Sequence, residues 1–297
     1  MLECVPNFSE GRNQGVVRAI VEAIESAPGV LLLGWESDPD HNRSVVTFAG
    51  RSDAVVEAAV RGAGKASELI NLTRHHGQHP RTGATDVIPF IPLDASKTVE
   101  ASTMTEAADA AHRAGEQIWS RFGIPVYFYE HATRTPQRQR LEKIRRPGFD
   151  GDPPDIGSIA AHPTAGAVIA GARNFLVAYN VDLNTPDVSV AKAIARSIRE
   201  SSGGFAHVKA MGLYLESRNC AQVSMNLTDF ANTPLDRVYA AIEEEAGRLG
   251  AGVRAGELIG FIPRAAYTRA PSFFRRAANF TEARIIETRL GQLLHSK

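Results

Sequence analysis

Asn42-Arg43-Ser44-Val45-Val46 and Asn219-Cys220-Ala221-Gln222-Val223 are the two stretches that decide the fold. Each joins a turn-forming Asn to the start of an apolar strand. Around the first, Val30-Leu31-Leu32-Leu33 reads as a buried strand, Asp38-Pro39-Asp40-His41 as a turn, and Ser44-Val45-Val46-Thr47-Phe48 as a second strand closed by Gly50. Two strands with no helix between them predict a hairpin. Upstream, the short strand from Leu2 to Asn7 precedes a helix from Gln14 to Ala27, with Val17, Ile20, Val21 and Ile24 at helical spacing and Pro28-Gly29 as its stop. Downstream, Ser52 caps a helix running to about Leu69, and a loop at 71–86 leads to the strand Val87 to Ile91.

Around the second stretch the same order returns. A strand from Phe175 to Leu183, a helix at 188–200, strands at 207–215 and 220–228, a helix at 235–248 and a strand from Glu257 to Ile262 repeat the pattern β-α-β-β-α-β. Between the repeats lie a helix from about Thr98 to Phe122, a strand from Val126 to Tyr129, a basic helix near Gln137 to Arg145, and a Gly- and Pro-rich loop reaching Gly166. A tail from Ala265 is expected to pack as terminal helices. The pattern predicts an α/β (α+β) fold of two similar subdomains, residues 1–172 and 173–297. Their sheets would be mainly antiparallel, with helices on the outer faces and a substrate cleft between them.

The chain has 297 residues, with 33 Lys and Arg balancing 33 Asp and Glu. A neutral total offers no field for polyanions, which disfavours nucleic acid as a partner. The first residues carry no basic, apolar signal segment, and no apolar run approaches the ~18 residues of a membrane span, so a cytoplasmic protein with no membrane partner is expected. Cys4 and Cys220 are too few for a disulfide framework and are expected as reduced core thiols.

Polar constellations stand out against this background. Arg74-His75-His76-Gly77-Gln78-His79-Pro80-Arg81-Thr82-Gly83-Ala84-Thr85-Asp86 holds three of the nine histidines. Imidazole accepts and returns protons near neutral pH, so a catalytic loop and an incidental polar turn are both open. His75 and His79 are four apart, as in helical zinc pairs, but Gly77 and Pro80 oppose a helix and the partnering Glu is missing, so no metal is expected. Glu36-Ser37-Asp38-Pro39-Asp40-His41-Asn42-Arg43 could bind a cationic group or simply form a hairpin turn. Gly157-Ser158-Ile159-Ala160-Ala161-His162-Pro163-Thr164-Ala165-Gly166, followed by Ala170-Gly171-Ala172-Arg173, has the small residues that let a flat heterocycle approach the backbone, and would equally serve as a linker. The arginines from Arg134 to Arg146 read as a solvated helix face or as a patch for an anionic tail.

Taken together, the motifs resemble the glutamate formiminotransferase family. The resemblance runs through Glu3-Cys4-Val5-Pro6-Asn7-Phe8-Ser9-Glu10-Gly11, Asp38 to Arg43, His79 to Asp86, Gly171 to Asn180, Ala221 to Leu227 and Glu257 to Pro263, most of the chain. It implies transfer of a formimino group from N-formimino-L-glutamate to N5 of tetrahydrofolate, the co-substrate. It also implies a catalytic role for His79, folate contacts along Gly157 to Gly166, and a homodimer. The attack gives a tetrahedral carbon bearing three nitrogens, so Asp38 or Asp40 is expected to supply negative field and His41, Asn42 and Arg43 to meet the donor. The family usually has Glu before the catalytic His and Met after the Pro-Arg pair; here they are Gln78 and Thr82. No cyclodeaminase part is expected, leaving ring closure to another protein. Formyl transfer from 5-formyltetrahydrofolate to glutamate and a non-enzymatic folate-binding protein are the alternatives.

Overall fold

The computed structural model of the protein describes residues 1–78, 80–93, 101–145 and 153–295. The chain divides into two units, Met1–Arg173 and Asn174–Lys297, each built around a core of its own.

The first unit opens with β1 (Leu2–Cys4) and β2 (Asn7–Phe8), two pieces of one strand separated at Val5-Pro6. Proline has no N–H for the ladder, which suits it to such an interruption. Next come α1 (Gln14–Glu25), β3 (Val30–Asp38), β4 (Arg43–Gly50), α2 (Ser52–Leu69) and β5 (Thr85–Pro92). Asn13 caps α1 by accepting from the N–H groups of Gly15 and Val16. β3 and β4 form the expected hairpin, with Asp38 opposite Arg43. The first strand lies between β4 and β5, antiparallel to both. This is a split β-α-β arrangement, in which the first strand is flanked by the third and fourth of the repeat.

The far edge of β5 extends the sheet. α3 (Met104–Phe122) begins in a capping box between Thr103 and Glu106 and ends at Gly123 in the left-handed region, φ 65°. It leads to β6 (Val126–Glu130), and β7 (Val168–Ala172) inserts between β5 and β6, parallel to both. β7 is a correction to the sequence expectation, which took Ala170-Gly171-Ala172 for part of a ligand-approach segment. A strand paired in parallel on both sides and covered on both faces shows no apolar-polar alternation, so its small residues resemble a loop. Val168, Ile169, Ala170 and Ala172 are all fully buried. The basic stretch also differs, dividing into a short 3-10 turn at Pro136–Arg138 and α4 (Leu141–Arg145). Ile144 of α4 packs with Val87, Tyr127, Tyr129 and Ile169 in a small cluster separate from the main core of the unit.

The second unit comprises β8 (Val177–Leu183), α5 (Val188–Ile198), β9 (Val208–Leu215), β10 (Cys220–Leu227), α6 (Leu235–Arg248) and β11 (Val253–Ile259). Its strand order, β11-β8-β10-β9, again places the first strand between the third and fourth, with every pairing antiparallel. Asn42 and Asn219, the residues that mark the repeat, both stand in the left-handed region, at φ 47° and 46°. Asn tolerates that conformation better than most side chains, which accounts for its place at both corners. The tail forms α7 (Arg264–Arg269), α8 (Pro271–Arg275) and α9 (Ile286–His295), with Phe273 and Phe274 of α8 fully buried. Cys4 and Cys220 are buried free thiols. Among the described residues, no helix is long and apolar enough to cross a membrane.

Gly212 of β9 offers a direct test of the packing in the second unit, because a Cβ there would lie 2.3 Å from the backbone nitrogen of Lys192 in α5. Gly212→Ala is expected to destabilise the protein by about 1–3 kcal/mol, as overpacking against backbone does. Gly247→Ala, on α6 with open space around it, is expected to be neutral or to stabilise by up to about 1 kcal/mol. Urea midpoints of the two variants check both.

Candidate functional site

Asp86, at the start of β5, has no exposed surface. A carboxylate in that position must be neutralised and hydrogen-bonded to remain ionised. Its Oδ2 accepts from Arg43 Nη1 at 2.6 Å and from Arg145 Nη2, and its Oδ1 accepts the backbone N–H of Thr82 at 2.7 Å. Arg43 also donates through Nε to Asn7 Oδ1 at 3.0 Å. Burial pushes the Arg43 guanidinium down from its usual value, and Asp86 opposes that shift. The carboxylate that Arg43 holds in this structure is therefore the protein's own.

The turn between β3 and β4 is fixed by its acidic residues. Asp38 Oδ1 accepts from the N–H groups of Asp40 and His41, at 2.8 and 2.7 Å, an arrangement that Asp favours in turns. Asp40 and His41 are buried. Asn42 binds neighbours on two sides: its Oδ1 accepts from Gly11 N–H and its Nδ2 donates to the carbonyl of His76, both at 2.9 Å. Gly11 lies so close that a Cβ there would be 2.1 Å from the carbonyl oxygen of Asp38. Its neighbour Ser9 donates from its N–H to Ala84 O (2.8 Å) and from its hydroxyl to Gly83 O (2.7 Å).

The histidine-rich segment is tied to this turn from both sides. The N–H of Gln78 donates to the carbonyl of Asp40 at 3.2 Å. The imidazole of His75 lies between Asn42 and Arg81, with Nε2 3.2 Å from the Asn42 carbonyl and Nδ1 against Arg81 Nη1. Since Arg81 can only donate, Nδ1 must accept and the proton must sit on Nε2. Arg81 also donates to Gly77 O at 2.7 Å. His79 lies outside the described residues, while its neighbours Gln78 and Pro80 are exposed.

The glycine-rich loop divides into two parts. Gly157 adopts φ 103° against the ring of Trp119 in α3, and Ile159 is 67% exposed. Ser158 and Ala160 are exposed, Ala161 is half-buried, and the Ser158 hydroxyl donates to the carbonyl of Ala160. The second part forms a turn in which His162 and Gly166 exchange backbone bonds of 2.9 and 3.0 Å across Pro163, Thr164 and Ala165. The His162 ring accepts from the N–H of Ala165 at 3.0 Å. This turn joins the histidine-rich segment through Leu72 N–H to Thr164 O, Ala84 N–H to Ala165 O, and Ala167 N–H to Thr82 O. Asp38, Asp40, His41, Asn42, Arg43 and the turn 162–166 therefore belong to one bonded assembly. Of residues 157–161, Gly157 lies against Trp119 of α3 instead, and Ser158, Ile159 and Ala160 are exposed.

Asp86, Arg145, Asn7 and Gly11 also belong to the assembly; Asn7, Gly11 and Asp86 lie in the motif stretches without an individual role, and Arg145 reads only as part of the basic run. Asp86 did carry a signal, since it is the one acidic residue heading an otherwise apolar strand. Arg145 carried none, being one of several arginines on a short basic segment. Among the described residues, no three His, Cys, Asp or Glu side chains are grouped as metal ligands would be.

Residues 1–173 match the family described as the formiminotransferase domain, N-terminal subdomain, and residues 178–293 match the formiminotransferase domain. The chain is 42% identical over 289 residues to a glutamate formimidoyltransferase of Streptococcus pyogenes serotype M1, covering 94% of this chain and 95% of that protein. It is 40% identical to a glutamate formimidoyltransferase of Thermoplasma acidophilum, covering 98% of this chain and 97% of the relative. A formimidoyltransferase-cyclodeaminase of Sus scrofa is also 40% identical, over 98% of this chain but 56% of its own length.

The His75 contacts predict a pH dependence of stability. Burial first, and the Arg81 cation second, hold its imidazole below the usual value. A depressed histidine favours the fold while neutral, so its contribution is complete above the unfolded value of about 6.5 and is lost as pH falls below it. Between about pH 7.5 and about pH 5.5, His75→Gln is expected to lose less stability than the native protein in urea unfolding. Equal losses would show that His75 does not couple folding to pH.

Proposed function

The chain belongs to the formiminotransferase family, and from that premise we propose how its residues carry the reaction. It is a one-carbon transferase, moving the formimino group of N-formimino-L-glutamate to N5 of tetrahydrofolate and releasing L-glutamate. The observation that carries this function is similarity over nearly the whole length of proteins named for it. The bonded assembly of the motifs within the first unit is consistent with their sharing one site.

The chemistry sets the requirements. N5 attacks the amidine carbon, the new N–C bond forms, and the bond from that carbon to the glutamate nitrogen breaks. The intermediate carries three nitrogens and no oxyanion. A proton must leave N5 and reach the departing nitrogen, a task for a group that titrates near neutrality. His79 is the proposed shuttle; the bonds that hold Gln78, Gly77 and Arg81 on either side of it support that role. Asp38 and Asp40 are proposed to keep the formimino unit cationic, and so electrophilic, through their negative charge. His41, Asn42 and Arg43 form the proposed donor end, the last two acting through the turn they hold.

Gly157, Ser158, Ile159, Ala160, Ala161, His162, Pro163, Thr164, Ala165 and Gly166 are the proposed folate contacts. Their small side chains and the exposed Ile159 suit a flat ring system. The step as written calls for no metal. A cytoplasmic homodimer belongs to the same proposal.

Two variants test it in an assay that mixes the protein with tetrahydrofolate and formiminoglutamate and reads the methenyl absorbance generated by acid. His79→Ala is expected to lower turnover by about 10² to 10⁴ fold with little loss of folate binding; unchanged turnover would remove His79 from the mechanism. Ile159→Asp is expected to raise KM for tetrahydrofolate by about tenfold or more with kcat near native, reflecting the loss of a buried aliphatic contact. An unaltered KM would place the folate elsewhere.

A further inference from the structure

We propose that Asp86 is a positioning residue for formimino transfer: its buried carboxylate sets the histidine-rich segment in register with the 38–43 turn and with α4. The proposal rests on the reading that these segments form the transfer site. Asp86 itself is fully buried, and the side chains of its two arginine partners are 13% and 18% exposed. The three groups it binds come from three places in the chain: Arg43 at the start of β4, the backbone of Thr82, and Arg145 at the end of α4.

Thr82 shows what this carboxylate controls. Its N–H is held by Asp86 and its carbonyl by the N–H of Ala167. The chain just beyond His79 in sequence is thus fastened on one side to the carboxylate and on the other to Ala167, the residue between the glycine-rich turn and β7. The neighbouring Gly166 sits at φ 70°, and a Cβ there would come within 2.4 Å of the Thr82 carbonyl. The two segments meet closely enough to leave no room for a side chain at position 166.

Only an ionised carboxylate satisfies all three donors. Its two oxygens accept from the two guanidiniums and from the peptide, whereas the amide of Asn would turn N–H groups toward at least one of them. The strand does not depend on the Asp86 side chain to form, because the backbone of β5 pairs with β2 at Thr85 and Val87, with β1 from Phe90 to Pro92 and with β7 from Val87 to Phe90. What the carboxylate adds is the placement of residues outside the sheet. Displacements of about 1 Å at a reacting centre cost on the order of 10²-fold in rate.

The test compares Asp86→Asn and Arg145→Met with the native protein and with His79→Ala, measuring kcat, tetrahydrofolate affinity by fluorescence titration, and far-UV circular dichroism. Asp86→Asn is expected to lower kcat by about 10- to 100-fold and Arg145→Met by about 3- to 10-fold, with folate affinity within about threefold of native in both. In the His79→Ala background, Asp86→Asn should remove far less activity than it does alone, because both changes act on one step. If His79→Ala is impaired while both other variants keep kcat within about twofold of native, the positioning role is overturned and the His79 reading stands. Parallel loss of kcat and folate affinity would also overturn it, by showing a general structural role. If Asp86→Asn does not fold, Arg145→Met decides, since it leaves Asp86 with Arg43 and Thr82. Unimpaired turnover in His79→Ala would instead sink the reading on which the proposal rests.

Discussion

The first strand of each half is hydrogen-bonded along both edges, and the position of every other element follows from that pairing. In the first unit, Asn7 lies between Val45 and Val87, and Phe8 between Ser44 and Thr85. The backbone ladder therefore brings the start of β4 and the start of β5 to opposite sides of the same two residues. Arg43 and Asp86 are the adjoining positions on those strands, and Asn7 binds Arg43 directly. A pairing requirement of the backbone alone thus creates the row Asn7, Arg43, Asp86 on which the candidate site is built.

The second unit obeys the same constraint with different polar chemistry. Its first strand carries Asp182, which accepts from Arg218 Nη1 at 2.9 Å and from Gln222 Nε2 at 2.8 Å. Gln222 is fully buried. Both units thus hold a carboxylate against an arginine next to the Asn corner of the hairpin. They differ in what surrounds it. In the first unit, two arginines and a peptide N–H meet the carboxylate; in the second, it meets one arginine and the amide of Gln222.

Much of this was legible in the sequence. The helices α1, α2, α5 and α6 follow from apolar residues at helical spacing, and the two hairpins from short apolar runs around Asp-Pro-Asp and Ser-Arg-Asn. The motif stretches also stood out as polar islands in an otherwise apolar pattern. Two parts were not legible, each for its own reason. β7 is an interior parallel strand of small residues, so neither alternation nor bulk marks it. The arginine-rich segment looked solvated because charge pattern says nothing about direction; Arg145 turns to the buried Asp86 and Arg138 to Asp155, 5% exposed.

The amino-acid sequence by itself determined the duplicated order of elements, the corners at Asn42 and Asn219, and the identity of the polar islands. These depend on local properties: periodicity of burial, breakers, and tolerance of a positive φ. Tertiary structure alone decided which islands meet. The bonds from Asn42 to Gly11 and His76, from Asp86 to Arg43 and Arg145, and from the 162–166 turn to Leu72 and Ala84 all join residues set far apart by the chain. Pairings of that kind arise only when the strands have been ordered in the sheet, because burying a charge or a peptide group fixes its partner by distance and not by position in the sequence.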